Sequence, residues 1–203
     1  MRKTIVVLAS SVKHQGRCIA GKDVATGMWI RPVGDVDGKE LTLAQATYTN
    51  PYGQYEIKNL IKIEINFTVS APLYYQPENF LFSQGPFQQQ YTINKNDLAN
   101  LLDSPMNLWG ETDNVDPHLI ETNSITISQS LYLVRVDNLN LHLDGNNKRR
   151  ASFTYNNINY DLAVTCRNFD SYVNGNETSV GIICVSLGEL FRDRHWKIVA
   201  AIY

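Results

Sequence analysis

The chain has 203 residues, 43% of them hydrophobic and 19% charged, with a formal net charge of −2. That length allows one large domain or two small ones with a sizeable core, and the composition is that of a globular rather than a disordered protein. The near-neutral balance excludes a protein that coats duplex DNA by bulk electrostatics alone, and no apolar run approaches the roughly 20 residues of a membrane helix.

The charge is unevenly spread. Residues 1–33 carry six Lys or Arg against one acid, residues 34–147 five against fourteen, and residues 148–203 seven against five. A basic N-terminal segment on an acidic body reads either as a local anion site or as a set of cations that pair with the acidic middle. The three cysteines, Cys18, Cys166 and Cys184, show no paired spacing, which fits reduced thiols better than a disulfide framework. Residues 1–10 superficially resemble a signal peptide, but their apolar core is short and strand-like, glycine-rich sequence follows at once. They read as a first strand, and a cytoplasmic location is expected.

In chain order, Thr4–Ala9 is a run of aliphatic and β-branched residues, consistent with a strand buried on both faces. Ser10–Gly16 reads as a loop, Arg17–Ala20 as a short strand, Lys22–Gly27 as a turn and Met28–Val33 as a strand ending at Pro32. Gly16, Gly21 and Gly27 mark tight backbone or the close approach of a ligand. Leu41–Ala46 could form one helical turn, and Asn50-Pro51-Tyr52-Gly53 is a turn. Asn59–Val69 alternates, with Ile61, Ile63, Ile65 and Phe67 on one face and Lys62, Glu64 and Asn66 on the other. Residues 94–102 predict a short capped helix, and Glu111–His118 an acidic loop. Beyond this the pattern is more plainly β. Strands are expected within Ser124–Val136, around Leu139–Leu143, over Arg149–Tyr155 and Ile158–Thr165, and over Gly181–Leu187 and Lys197–Tyr203. Asn156-Asn157 between two of them is a two-residue type I′ hairpin signal. About ten short strands with one or two short helices predict a mainly β chain of small barrels.

Few residues form a chemical motif. His14 and Cys18 flank Gly16, while His118, His142 and His195 are scattered, so the roughly four convergent ligands of a zinc site are missing and no metal is expected. Cys18, with Lys13, His14 and Arg17 nearby, reads either as an activated thiol or as a half-buried strand residue, the second being preferred. Ser10-Ser11 lacks the glycines of a nucleophile elbow, and Gly21-Lys22 lacks the rest of a phosphate loop. Glu78 could pair with Glu189 only through folding, and could equally tie down a turn. Nucleic-acid or nucleotide binding has more support. Lys13, His14, Arg17, Lys22 and Arg31 can meet phosphates, and Trp29 with Tyr74 or Tyr75 can stack a base. Lys148-Arg149-Arg150 beside Phe153 repeats the combination in the second half. Trp29 reads equally as a core ring, and Lys148-Arg149-Arg150 as a solvated hairpin end.

A series of short motifs runs along the chain: Lys13, Gly16, Arg17, Cys18, Ala20 and Gly21, then Trp29–Val33, then Gln76-Pro77-Glu78-Asn79 and Leu108-Trp109. It continues through Arg150–Phe153, Tyr160-Asp161-Leu162 with Val164-Thr165, Ser186–Glu189 and Lys197–Ile202. In this order the motifs resemble a known bacterial family, that of the dual-OB domain. Cys166-Arg167 departs from the pattern, where an acidic residue is expected. The resemblance implies two tandem OB-like β-barrels, recognition of nucleic acid or nucleotide, and a setting in bacterial conflict or defence systems.

The resulting expectation is a mainly β protein of two tandem small OB-like barrels, residues 1–115 and 116–203, with one or two short helices. It binds nucleic acid, single-stranded rather than duplex, or a nucleotide-like anion, without catalysis, cofactor or membrane. The candidate contact residues are Lys13, His14, Arg17, Lys22, Trp29, Arg31, Glu78, Arg149 and Arg150. An enzyme acting on a nucleotide or modified base is one alternative. A protein-interaction module that docks a partner through the acidic residues 97–121 is another.

Overall fold

In the computed structural model the chain is described over residues 1–13 and 16–203, with Lys13 by its backbone alone. It divides into two compact units, Met1–Leu101 and Leu102–Tyr203. The division falls ahead of the 115/116 boundary expected above, because Leu108, Trp109 and Val115 belong to the second unit's core.

The first unit contains β1 (Arg2–Lys13), β2 (Gly16–Asp23), β3 (Trp29–Val33), β4 (Leu41–Thr42), β5 (Thr47–Asn50), β6 (Gly53–Glu56), β7 (Ile61–Ser70), β8 (Asn79–Phe82) and β9 (Phe87–Thr92), then a 3-10 helix over Lys95–Leu101. Five of these strands close a barrel. β1 pairs β2, β2 pairs β3, β3 runs parallel to β8, β8 pairs β7, and β7 returns to β1. β1 uses both of its edges, Ile5 and Val6 pairing with β2 and β7 alike, and it bends at a bulge between Val7 and Ala9. Residues Arg2–Val6 pair with β7, while the rest of the strand continues along β2 to the Lys13–Gly16 pair. The expected loop from Ser10 is therefore mostly ladder. Leu41 and Thr42 pair with β2, and the Ala46 amide then donates to the Thr42 carbonyl at 2.9 Å, closing the single helical turn expected within residues 41–46. β9, β5 and β6 extend the sheet from β7. The alternation read over residues 59–69 holds: Ile61, Ile63, Ile65 and Phe67 point into a core with Ile5, Val7, Ile19, Ile30 and Phe87.

The glycines serve the backbone. A Cβ on Gly21 would stand 2.1 Å from the carbonyl oxygen of Val6, so the β1–β2 pairing itself requires the bare position. Gly27 has φ +72° in the β2–β3 turn, with open space around it. Asp23 organises that turn, accepting from the Ala25 amide and the Thr26 hydroxyl, each at 3.2 Å.

The second unit contains β10 (Asn114–Val115), α1 (Pro117–Glu121), β11 (Leu131–Arg135), β12 (Asp137–Leu143), β13 (Arg149–Tyr155), β14 (Ile158–Val164), α2 (Phe169–Val173), β15 (Ile182–Phe191) and β16 (Arg194–Ile202). β11 and β12 are one bent strand interrupted at Val136. The first half pairs with β15 and the second with β13. With β13–β14 antiparallel, β14–β16 parallel and β16–β15 antiparallel, the circuit closes as in the first unit. In both barrels the spatial order is first, second, third, fifth, fourth and back to first, with a parallel third–fifth pair. Two helices were not anticipated. Asp116, whose carboxylate accepts from the His118 amide at 3.0 Å, caps α1 ahead of Pro117 where an acidic loop was expected. α2 follows β14. Among the described residues no helix is long and apolar enough to cross a membrane.

Candidate nucleic-acid interface

The basic and aromatic residues singled out near the N-terminus line a buried face. Trp29 is 3% exposed and Arg31 8%, on the β3 strand whose Ile30 points into the core. Arg31 Nε donates to Glu78 Oε1 at 3.3 Å, and both side chains are under a tenth exposed. The Arg31 amide also donates to the Glu78 carbonyl at 2.9 Å. Lys22 lies over the Trp29 ring at 5.5 Å and donates to the carbonyl of Leu101 at 2.8 Å, at the end of the 3-10 helix. Arg17 is buried and donates to Glu56 on β6 at 3.2 Å, whereas Cys18 is half-buried. Arg17, Trp29 and Arg31 are thus buried rather than on an open surface, Trp29 in its core-ring reading, and Cys18 is the half-buried strand residue that was preferred. Acids from the middle of the chain, Glu56 and Glu78, meet the arginine heads. The Glu78 carboxylate ties Arg31 in place, a pairing that neither sequence reading of Glu78 named. It lies in a different unit from Glu189. His14 and the Lys13 side chain lie outside the described residues.

The second-half candidates are more open. Arg149 donates to Asp170 at 2.6 Å and lies 5.4 Å from the Phe169 ring centre. Arg150 faces outward from β13, its Nε on Asp161 Oδ1 and its Nη2 on the Asp161 carbonyl, both at 2.6 Å. Ser152 donates to the other carboxylate oxygen of Asp161 at 3.0 Å, and His142 Nε2 lies 3.5 Å from that same atom. Thr154 and Asn159 continue the polar ladder at 2.9 Å. Asp161 stands between Ser152 and His142, so the serine bonds to the carboxylate rather than to the imidazole. That is the wrong order for a nucleophile activated by a base. The face is polar and hydrogen-bonding, and its Arg150 is oriented by two bonds.

Sequence reading overlooked the β15–β16 turn. Phe191 is 60% exposed, Arg192 lies 5.2 Å from its ring centre, and Trp196 donates its indole N–H to the Phe191 carbonyl at 2.8 Å. Arg194 pairs with Asp116 at 3.1 Å. The signal was present as Phe191-Arg192-Asp193-Arg194-His195-Trp196, aromatic and basic residues interleaved. The corresponding fourth-to-fifth connection of the first barrel carries Tyr74, 54% exposed, with its ring edge against Tyr75 at 4.9 Å.

Residues 3–202 match the dual OB-containing domain family. The chain belongs to that family. Comparison with curated proteins returns no match. Among solved structures, the crystal structure of the tetrameric p202 HIN2 is similar over 100% of this chain and 91% of that one, at 11% identity and a TM-score of 0.33.

In this dual OB-containing domain the carboxylates of residues 97–121 are largely used internally. Asp97 accepts from the Asn94 amide at 2.9 Å, Asp103 from the Leu133 amide at 2.8 Å, and Asp116 caps α1. Trp109 of the same stretch is buried, stacks on Tyr132 at 4.4 Å and donates to the Gln129 carbonyl. Lys197 on β16 is 1% exposed, beside Tyr160 and under the carbonyls of Gly110 and Thr112. Burial pushes its ammonium down to about 8, against a smaller opposing pull from Asp113. Among the described residues, no three His, Cys, Asp or Glu side chains gather as a metal would require.

Proposed function

We propose that this dual OB-containing domain binds single-stranded nucleic acid without catalysis, each barrel offering aromatic rings on its fourth-to-fifth strand connection. The observation that carries the reading is the recurrence of exposed rings at that connection, Tyr74 in one barrel and Phe191 in the other. OB-folds bind oligonucleotides on the outer face of their second and third strands and on the loops that flank it. In the second barrel that face is the polar ladder of β13 and β14, with Arg150 already oriented. Unpaired bases would stack on the rings, and phosphates would meet Arg150, Arg149 and Lys148. The buried Arg31 and Trp29 then support the barrel rather than touch the ligand.

The test is a fluorescence titration of labelled oligo-dT and oligo-U at low and moderate salt. Binding should weaken steeply with salt, as phosphate contacts release counterions. Phe191→Ala should lose on the order of 1–3 kcal/mol, as for one stacked base. Arg150→Gln should lower the salt slope by about one. No binding at low salt, or binding unchanged in both variants, would overturn the reading.

A further inference from the structure

The first barrel carries a polar concavity of its own. It is an open cavity of about 570 Å³ formed by the start of β1, the β2–β3 turn, β7 and β9. Its charged lining is Arg2, Lys3 and Lys62 against Asp23 and Glu64, with Thr26 and Gln90 beside them. The register explains the convergence. Thr4 stands opposite Glu64 and Val6 opposite Lys62, so Arg2, Glu64 and Lys62 share the outer face of the β1–β7 pair.

Both carboxylates are already neutralised. Glu64 is paired with Arg2, and Asp23 with Lys3 at 3.2 Å. The third cation has no carboxylate among the described residues. Lys62 Nζ donates to the Tyr91 hydroxyl at 2.9 Å and lies over that ring at 4.5 Å. The Arg2 side chain is 67% exposed and meets Glu64 through Nη2. The cavity therefore has one positive charge in excess, an exposed guanidinium, and hydroxyl and amide groups along its wall. Its volume falls within the roughly 300–1,000 Å³ of small-molecule sites.

We propose that this cavity binds a small phosphate monoester carrying free hydroxyls. The phosphate lies between the Arg2 guanidinium and the Lys62 ammonium, whose donors match its oxygens. The hydroxyl-bearing part reaches Glu64, Thr26 and Gln90, where the carboxylate accepts and the hydroxyl and amide groups accept or donate. Calorimetric titration of the full chain with ribose 5-phosphate, inorganic phosphate and ribose tests this. Ribose 5-phosphate should bind with a Kd at or below about 1 mM, more tightly than inorganic phosphate, with ribose silent. Losing one charge-assisted contact should weaken it about tenfold, in Lys62→Gln and Arg2→Gln alike. Both substitutions are on the outer face, and retained circular dichroism verifies the fold. Arg150→Gln should leave this binding unchanged, which separates it from oligonucleotide binding. Absence of saturable binding, or equal affinity in wild type and Lys62→Gln, would overturn the proposal.

Discussion

Arg31 and Glu78 show how residue type alone misleads about place. An arginine beside a tryptophan looks like a nucleic-acid contact, yet each charge is under a tenth exposed and each is the other's partner. Removing one leaves the other charged and buried, which costs about 3–5 kcal/mol. Glu78→Ala should therefore lower the free energy of unfolding by about that amount in urea denaturation, and Arg31→Met with Glu78→Leu together should cost less than Glu78→Ala alone. Lys197 presents the opposite sign. Its folded value of about 8 lies below the ordinary 10.5, so the unfolded chain binds more protons across that window and stability rises with pH through it. Below about pH 8 the lysine is charged in both states and the cost of burying it stands in full. The half-buried Tyr132 and the buried Tyr155 and Tyr160 are pushed upward chiefly by desolvation, so they weaken the fold only above their ordinary 10.0. Urea unfolding at about pH 7 and about pH 9.5 should show higher stability at the upper value, and Lys197→Met should flatten that difference.

At the scale of the element, the short connections decide which strands meet. Asn156 and Asn157 both have positive φ, 49° and 65°, as a type I′ turn demands. Asparagine tolerates that region, whereas a β-branched residue there costs roughly 1–2 kcal/mol. Asn157→Gly should keep the stability of the second barrel, and Asn157→Val should lower it by about that amount in thermal or urea unfolding. Arg192 and Asp193, also at positive φ, make the same kind of reversal between β15 and β16, which is why Phe191 is held at a turn rather than folded into the core. Asp116 is the element-level surprise. Its carboxylate sets the start of α1 in a stretch that reads as an acidic loop, because a five-residue helix is too short to show periodicity.

At the scale of the whole molecule, two barrels of one topology follow one another in the chain, each with its own apolar cluster. In each, the first strand lies between the second and the fourth, and closure leaves no open edge within the five-strand circuit. The second cluster runs from Leu108 to Ile202, wholly inside Leu102–Tyr203. A fragment of residues 102–203 should therefore fold by itself. Its unfolding should be cooperative by circular dichroism, and an absent transition would contradict an independent core.

The mainly β class, the alternation of Ile61 to Phe67 and the Asn156-Asn157 hairpin were determined by the sequence itself. Each depends on local patterning, with apolar side chains at period two or residues that accept positive φ. The order of short motifs likewise carried the resemblance to the family over almost the whole chain. Barrel closure, the parallel β3–β8 and β14–β16 pairs and the placing of the first boundary after Leu101 were decided only by tertiary structure, since they join residues far apart in sequence. The same holds for the candidate site. Local composition marks Arg31, Trp29 and Arg150 alike as contact residues. Long-range pairing buries the first two and leaves Arg150 on an outer face, because exposure belongs to the closed barrel rather than to the side chain.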